Sequence, residues 1–539
     1  MAIKADYDAL VVGAGFGGIY QCYSLRKLGL TVKVIDAAGG VGGTWYWNRY
    51  PGAMSDTESY LYRFTWDKED LQTYPWSHHY VKQPEVLRYL QHVVKRHDLE
   101  QYMQFHTELV AANWDESSST WICDVKTADG FRSTIRVRYL VTALGLLSKQ
   151  NFPDIRGLET FHGDLVHTGS WNPDLEVTGK RIAVIGSGST GVQVITEIAS
   201  KVKELVSFQR NPQYSVPSGD GPVTAEYRDR INANYDAIIE KNKASVCGFG
   251  LDEATKGFDE FTPDQQQQIF EGLWQRGNGF RFMFGGFADL TVNRRANEAA
   301  CEFIKGKIRQ TVKDPEKAKL LLPRQPYARR PLCDGGYYQQ FNRDNVHVVD
   351  LQASPIQEIT STGIRTADGR DFAFDVIVFA TGFEAVDGNY LRLNITGRDG
   401  LSLQDQWRNS GPRAYMGVSV AGFPNLFLVT GPQGAFSNIP VLIETHVEFI
   451  TRVIAEAERR RVPQVEASQE AQDRWVAVCE HLAEGSIFRE AQSWIFGSNV
   501  PGKVTSTRFF FGGLGNYRKA LDEVIQGGFE GYPALQTAG

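Results

Sequence analysis

A chain of 539 residues with 42% apolar and 22% charged residues is long enough for two to four domains with substantial buried cores. A net charge of −6 supplies no attraction for nucleic acid, and no 18-residue apolar run or basic leader marks a membrane span or a signal peptide. The six cysteines are scattered without a C-x-x-C pair, which predicts reduced thiols in a cytoplasmic setting rather than a disulfide framework.

Asp8 to Val12 reads as a short buried strand running into the glycine turn Gly13-Ala14-Gly15-Phe16-Gly17-Gly18. Helical spacing follows from Ile19 to Leu30, then an alternating strand from Thr31 to Ile35 that Asp36 closes. Together these form a dinucleotide fingerprint: a tight turn, close backbone approach, a helix N-terminus facing a pyrophosphate, and an acid for a ribose hydroxyl. The loop Gly42 to Asp56, with the run Trp45-Tyr46-Trp47, fits neither an ordinary helix nor a strand. Loops so rich in Trp wrap something flat or plug a domain surface. Pro84 to His97 is predicted helical with its proline harmlessly at the start, and Phe105 to Leu144 is strand-rich.

Phe161 to Asn172 joins this unit to a second one. Arg181 to Ile185 is a predicted strand, Gly186 to Gly191 a second glycine turn, Gly191 to Lys203 an amphipathic helix and Leu205 to Phe208 a strand. That strand ends in Gln209-Arg210, where an NAD site shows an acid; a cation suits a 2′-phosphate and favours NADP. From 222 to 325 the periodicity turns helical, which predicts an insert; its aromatic island Gly279 to Gly285 is expected to serve packing rather than a cofactor. Arg329 and Arg330 lie on an extended segment, so they point opposite ways and can serve two different anions. Val346 to Asp350 and Asp375 to Phe379 are further strands. The second of these runs into Ala380-Thr381-Gly382, resembling the return strand of flavoprotein reductases and oxygenases. The rest mixes an apolar loop (Gly431 to Pro440), helices (Val441 to Arg461, Gln469 to Glu484) and the segment Ser493 to Lys503.

Several chemistries find no support. His92/His97 and His162/His167 are each five apart, off one helix face, so no metal site is expected. Neither a G-x-S-x-G elbow nor a Walker-type phosphate loop occurs.

The pattern Phe161-x-Gly163-x-x-x-His167-x-x-x-Trp171 resembles a fingerprint of the type I Baeyer–Villiger monooxygenases, with Asn172 departing from the usual Pro or Asp. The loop from Gly42-Gly43-Thr44-Trp45 through Tyr50-Pro51-Gly52 to Asp56 resembles the second signature of that family, and GSGSTG, RRPLCDGGYY, VFATGF and SWIFGSNVPGK extend the likeness along the chain. The resemblance implies an α/β fold with two Rossmann-like dinucleotide-binding domains and a helical insert. Residues 1–150 and 385–539 would form the FAD domain, 151–221 and 326–384 the NADP domain, and 222–325 the insert. FAD would rest on Gly13, Gly15, Gly18 and Asp36, with Gly43, Thr44 and Trp45 lining its ring. NADPH would rest on Gly186, Gly188, Ser189, Thr190 and Gly191, with Arg210 and Arg329 on the 2′-phosphate and Trp494 against the nicotinamide half.

The implied reaction uses NADPH and O2 to convert a ketone, cyclic ones included, to an ester or lactone through a flavin peroxide and a tetrahedral adduct. It needs a fixed cation, assigned to Arg330 with Asp56 as its pairing carboxylate. It also needs a dry pocket, drawn from Leu146, Phe249, Phe436, Ile439 and Phe509. A monomer is expected, with a weak oligomer as the second option. The alternative is an S- or N-oxygenase on the same scaffold, and a different class is a redox sensor that only binds the two nucleotides. Phe161 to Asn172 is expected to act as a hinge between the two units.

Overall fold

The computed structural model describes residues 4–537. Strands β1 (Tyr7–Val12), β2 (Val32–Ile35), β3 (Met103–Gln104), β4 (Thr107–Asp115), β5 (Thr120–Thr127) and β6 (Arg132–Thr142) build the first sheet. Strand β1 lies between β6 and β2, parallel to both. Successive side chains of a strand point to opposite faces, so Ala9 and Val11 enter one core while Leu10 and Val12 enter another. That two-sided burial is why the segment reads as an unbroken apolar run rather than an alternation. The long β6 pairs antiparallel with β5 over its first part and parallel with Leu426–Leu428 over its second, which brings a C-terminal segment back into the sheet.

The second sheet holds β7 (Asp164–His167), β8 (Arg181–Ile185), β9 (Glu204–Gln209) and the later strands Val346–Asp350 and Val376–Phe379. All its pairings are parallel, in the order Val346–Asp350, β9, β8, Val376–Phe379, β7. Helix α1 (Phe16–Lys27) follows β1, and helix Ser189–Ile198 follows β8.

The predicted insert contains helices Ala225–Ala244, Pro263–Arg276, Gly279–Phe284, Arg294–Thr311 and Pro315–Leu321. They do not share one core. Ile231 and Tyr235 of the first pack with the first sheet's helices, whereas Phe270, Phe282 and Ile304 of the others pack with the second sheet.

The hinge expected at Phe161 to Asn172 is overturned. Asp164–His167 is the edge strand of the second sheet, in register with Val376–Phe379. His167 is buried, its Nδ1 accepts the Gly169 N–H at 3.0 Å, and burial lowers its pKa to about 4. A segment locked into a sheet moves with that sheet. The chain crosses between the two sheets elsewhere, near residues 145–151 and 382–386, and the two crossings hydrogen-bond to each other. Asn151 N donates to Gly382 O at 3.0 Å, Glu384 N to Lys149 O at 2.8 Å and Val386 N to Leu146 O at 3.0 Å.

Candidate active site

Both glycine turns open at the carboxyl ends of their strands, where parallel sheets leave a crevice. They face one continuous cleft of about 1440 Å³. Every residue singled out from the sequence lines that cleft except Gly18 and Gly191. Those two serve packing. A Cβ on Gly18 would lie 1.7 Å from Gly13 O, and one on Gly191 would lie 2.2 Å from Gly186 O. Gly13 (φ +110°) and Gly186 (φ +118°) hold the left-handed turn, where a Cβ would sit 2.3 Å from Ala143 O and 2.3 Å from Ala380 O respectively. Gly188, by contrast, has nothing within 4 Å of its missing Cβ, so its backbone lies open to the cleft.

The first cradle is closed by the loop that follows β2. Gly42 N donates to Ala14 O at 3.0 Å, and a Cβ on Gly43 would lie 2.9 Å from Gly15 Cα, so paired glycines are required there. Thr44–Trp47 form a single helical turn; Trp45 is buried and its Nε1 donates to Tyr62 Oη at 3.1 Å. Asp36 accepts from Ala14 N at 2.6 Å and Ala38 N at 2.8 Å. Burial raises its pKa against the pull of those two N–H groups. Each carboxylate oxygen keeps a lone pair for another donor.

The second cradle carries uncompensated positive charge. Arg210 is exposed and has no hydrogen-bond or ion-pair partner among the described residues. Arg329 donates to Gln325 Oε1 at 2.5 Å, while its buried Nε has no partner. Burial and the nearby charge of Arg210 lower the Arg329 guanidinium to about 10. Two cations left near each other without a carboxylate form a site made for an added anion, which fits a nucleotide phosphate.

Where the two cradles meet, Arg330 Nη1 lies 2.5 Å from Asp56 Oδ2, with the Asp56 side chain 2% exposed and the Arg330 side chain 30% exposed. Burial works against the guanidinium charge, but Asp56 outweighs it and raises the Arg330 pKa. The cation also sits 5.3 Å from the ring centroid of Phe280, which stacks on Phe249 at 3.8 Å. The aromatic island around Phe280 is therefore divided. Phe282 and Met283 belong to the core, whereas Phe280 and Phe284 line the cleft. Across the pocket, Phe509 meets Phe436 at 5.4 Å and Trp494 at 5.7 Å, both edge-on.

Tyr50 enters the sequence reading only within the Gly42 to Asp56 signature and without a role, and Gln193 and Asn278 are not singled out there. Tyr50 Oη donates to Gln193 Oε1 at 2.7 Å, and Gln193 Nε2 reaches Met54 O at 3.2 Å, tying the helix of the second turn to the loop that ends at Asp56. The bonds that tie these residues to the site run to residues far away in sequence, although Asn278 also caps the short helix that follows it. Among the described residues no group of three or more His, Cys, Asp or Glu is placed to hold a metal, and no helix is long and apolar enough to cross a membrane.

A family model described as pyridine nucleotide-disulphide oxidoreductase matches residues 7–245. Cys22, Cys123, Cys247, Cys301, Cys333 and Cys479 are all free and buried, so the match concerns the nucleotide-binding framework. A Baeyer–Villiger monooxygenase of Pseudooceanicola batsensis is 46% identical over 99% of this chain and 96% of its own length. A phenazine N-monooxygenase of Lysobacter antibioticus is 45% identical over 98% of this chain and 97% of its own. The crystal structure of cyclohexanone monooxygenase from Rhodococcus sp. Phi1 bound to NADP+ superposes with a TM-score of 0.95 at 48% identity, covering 98% of each chain. The fold and cleft define a two-nucleotide oxidoreductase. The chain belongs to the Baeyer–Villiger monooxygenase family.

Proposed function

We propose that this protein binds FAD at the Gly13–Gly18 turn and NADPH at the Gly186–Gly191 turn, and inserts one oxygen atom beside the carbonyl of a ketone. A linear ketone gives an ester and a cyclic ketone a lactone; the second oxygen atom of O2 leaves as water, with NADPH as the reductant. The observation that carries this reading is the Arg330–Asp56 pair, held where the two cradles open onto an apolar pocket. When bound, NADPH supplies the hydride and FAD the activated oxygen.

The chain's own residues do the rest. Adding a nucleophile to a ketone turns its carbonyl oxygen into an anion, and a guanidinium that keeps its proton can hold that charge. Asp56, buried beneath it, keeps Arg330 charged and aimed. Leu146, Phe249, Phe436, Ile439 and Phe509 exclude water from the reacting carbon. Asp36 takes a ribose hydroxyl of FAD, while Arg210 and Arg329 take the 2′-phosphate of NADPH and Trp494 covers its nicotinamide half.

We assign 1–150 and 385–539 to the FAD domain, 151–221 and 326–384 to the NADP domain, and 222–325 to the insert. The buried free thiols favour a reducing cytoplasm, and we take the working unit to be a monomer. Incubating the enzyme with NADPH, O2 and a panel of cyclic and linear ketones, with analysis of the products, tests the assignment. Lactone from six-membered rings is expected, and no ester or lactone from any ketone overturns it. The phenazine relative favours a second reading, N-oxygenation on the same scaffold. An N-oxide formed from a heteroaromatic amine faster than lactone from any ketone would select it.

A further inference from the structure

We infer that Asn278 is the positioning residue that sets the aim of Arg330, an inference that rests on the role proposed for Arg330 above. Arg330 leans on two things: the carboxylate of Asp56 at 2.5 Å and the ring of Phe280 at 5.3 Å. They come from different parts of the chain, and one side chain holds both. Asn278 Nδ2 donates to the backbone carbonyl of Asp56 at 2.9 Å and to Tyr80 Oη at 3.0 Å. Its Oδ1 accepts from Phe280 N at 2.9 Å and Arg281 N at 3.2 Å, capping the short helix that presents Phe280.

The position demands this residue type. Two donated and two accepted bonds from one short side chain need a primary amide; a carboxylate only accepts, and an extra methylene in Gln overshoots the cap. Asn278 is 2% exposed and adopts φ +76°, ψ 117°, a backbone conformation that side-chain-bearing residues seldom take. Strained backbone of this kind persists where the surroundings over-determine it, and it gathers at functional sites. Asn278 touches no reacting atom. It acts through Asp56 and Phe280, so a change there should swing the guanidinium without disturbing the nucleotide cradles.

The test compares Asn278→Asp, which keeps the cap and loses both donated bonds, with Asn278→Gly, which accepts the backbone and loses all four. Both are measured beside Arg330→Ala. Because small misplacements at a reacting centre are costly, ketone turnover should fall about tenfold or more in either variant. NADPH should be diverted to hydrogen peroxide, while FAD content and the rate of hydride transfer stay within about twofold, since those depend on the cradles. Combined with Arg330→Lys, Asn278→Asp should cost less than the sum of the two single losses. If Asn278→Asp fails to fold, Asn278→Gly is read by the same criteria. Ketone turnover retained within about twofold by a folded variant, a parallel loss of FAD and hydride transfer, or strict additivity with Arg330→Lys would each overturn the inference. If Arg330→Ala itself still forms lactone, the role of Arg330 falls and this inference with it. If Arg330→Ala is inactive and the Asn278 variants are not impaired, only the inference about Asn278 falls.

Discussion

Arg329 and Arg330 are consecutive, yet their guanidinium groups line one cleft with entirely different partners. Arg330 pairs with Asp56 at 2.5 Å, whereas Arg329 turns to Gln325 and feels the charge of Arg210 with no carboxylate beside it. Side chains of neighbouring residues on extended backbone leave on opposite sides, so one short segment supplies a cation to each of the two places proposed above for the reacting carbonyl and the 2′-phosphate. Their loss should therefore produce different defects.

Arg330→Ala should leave NADPH able to bleach the flavin but reduce product formation by about 100-fold or more, the usual cost of removing a donor at a developing oxyanion. Stopped-flow absorbance and lactone yield, read on the same preparation, check this. Undiminished lactone would remove Arg330 from the mechanism.

Arg210→Ala should raise KM for NADPH by about tenfold or more and leave KM for NADH nearly unchanged, since a charge-assisted hydrogen bond contributes about 1.5–3 kcal/mol. Steady-state kinetics with both nucleotides decides the point. An equal rise for both would move the phosphate site elsewhere.

Gly18→Ala and Gly188→Ala separate packing from access. The added methyl of the first would lie 1.7 Å from Gly13 O, so the turn must distort, and the variant should purify with little FAD and a lowered Tm. The second meets nothing within 4 Å and should keep its Tm, any defect appearing in NADPH affinity. Flavin content and melting curves test both.

Asp387 is buried against Lys503 and Arg508, the two cations that flank the end of the loop carrying Trp494. Asp387→Asn would remove the carboxylate that both are paired with, and breaking a buried pair in this way costs about 3–5 kcal/mol. Lower Tm and faster proteolysis within residues 493–508 are expected; an unchanged cleavage rate would mean that the loop is held by its apolar contacts alone.

Glu444 provides a pH signature. It is 1% exposed, and burial raises its pKa from 4.5 to about 7 although Thr65 donates to it through N and Oγ1 at 2.5 Å each. A carboxyl with a raised folded pKa favours the fold while protonated, and that contribution disappears as pH climbs from about 4.5 through about 7. Relative to Glu444→Gln, the wild type should thus lose stability across that window and hold a constant deficit above it. Melting curves from pH 5 to 8.5 give the comparison, and parallel curves would contradict it.

Both dinucleotide turns, the strands feeding them and the choice of a cation at Arg210 were legible in the chain because they depend on neighbours a few residues away. Glycine positions and strand periodicity are local physics and the strands reappear at nearly the same boundaries, whereas the two helices begin two or three residues earlier and end three and five residues earlier than their periodicity predicts. What the sequence could not reveal depended on distant partners. Asp164–His167, within the stretch from Phe161 to Asn172, became a sheet edge because Val376–Phe379 pairs with it some two hundred residues later. The aromatic island divided between core and cleft according to which way a short helix lies, and Asn278 joined Asp56 across a separation of 222 residues. Identity and local shape came from sequence; the aim of Arg330 was decided by tertiary contacts, since only the folded chain brings a buried carboxylate, an aromatic ring and their shared amide together.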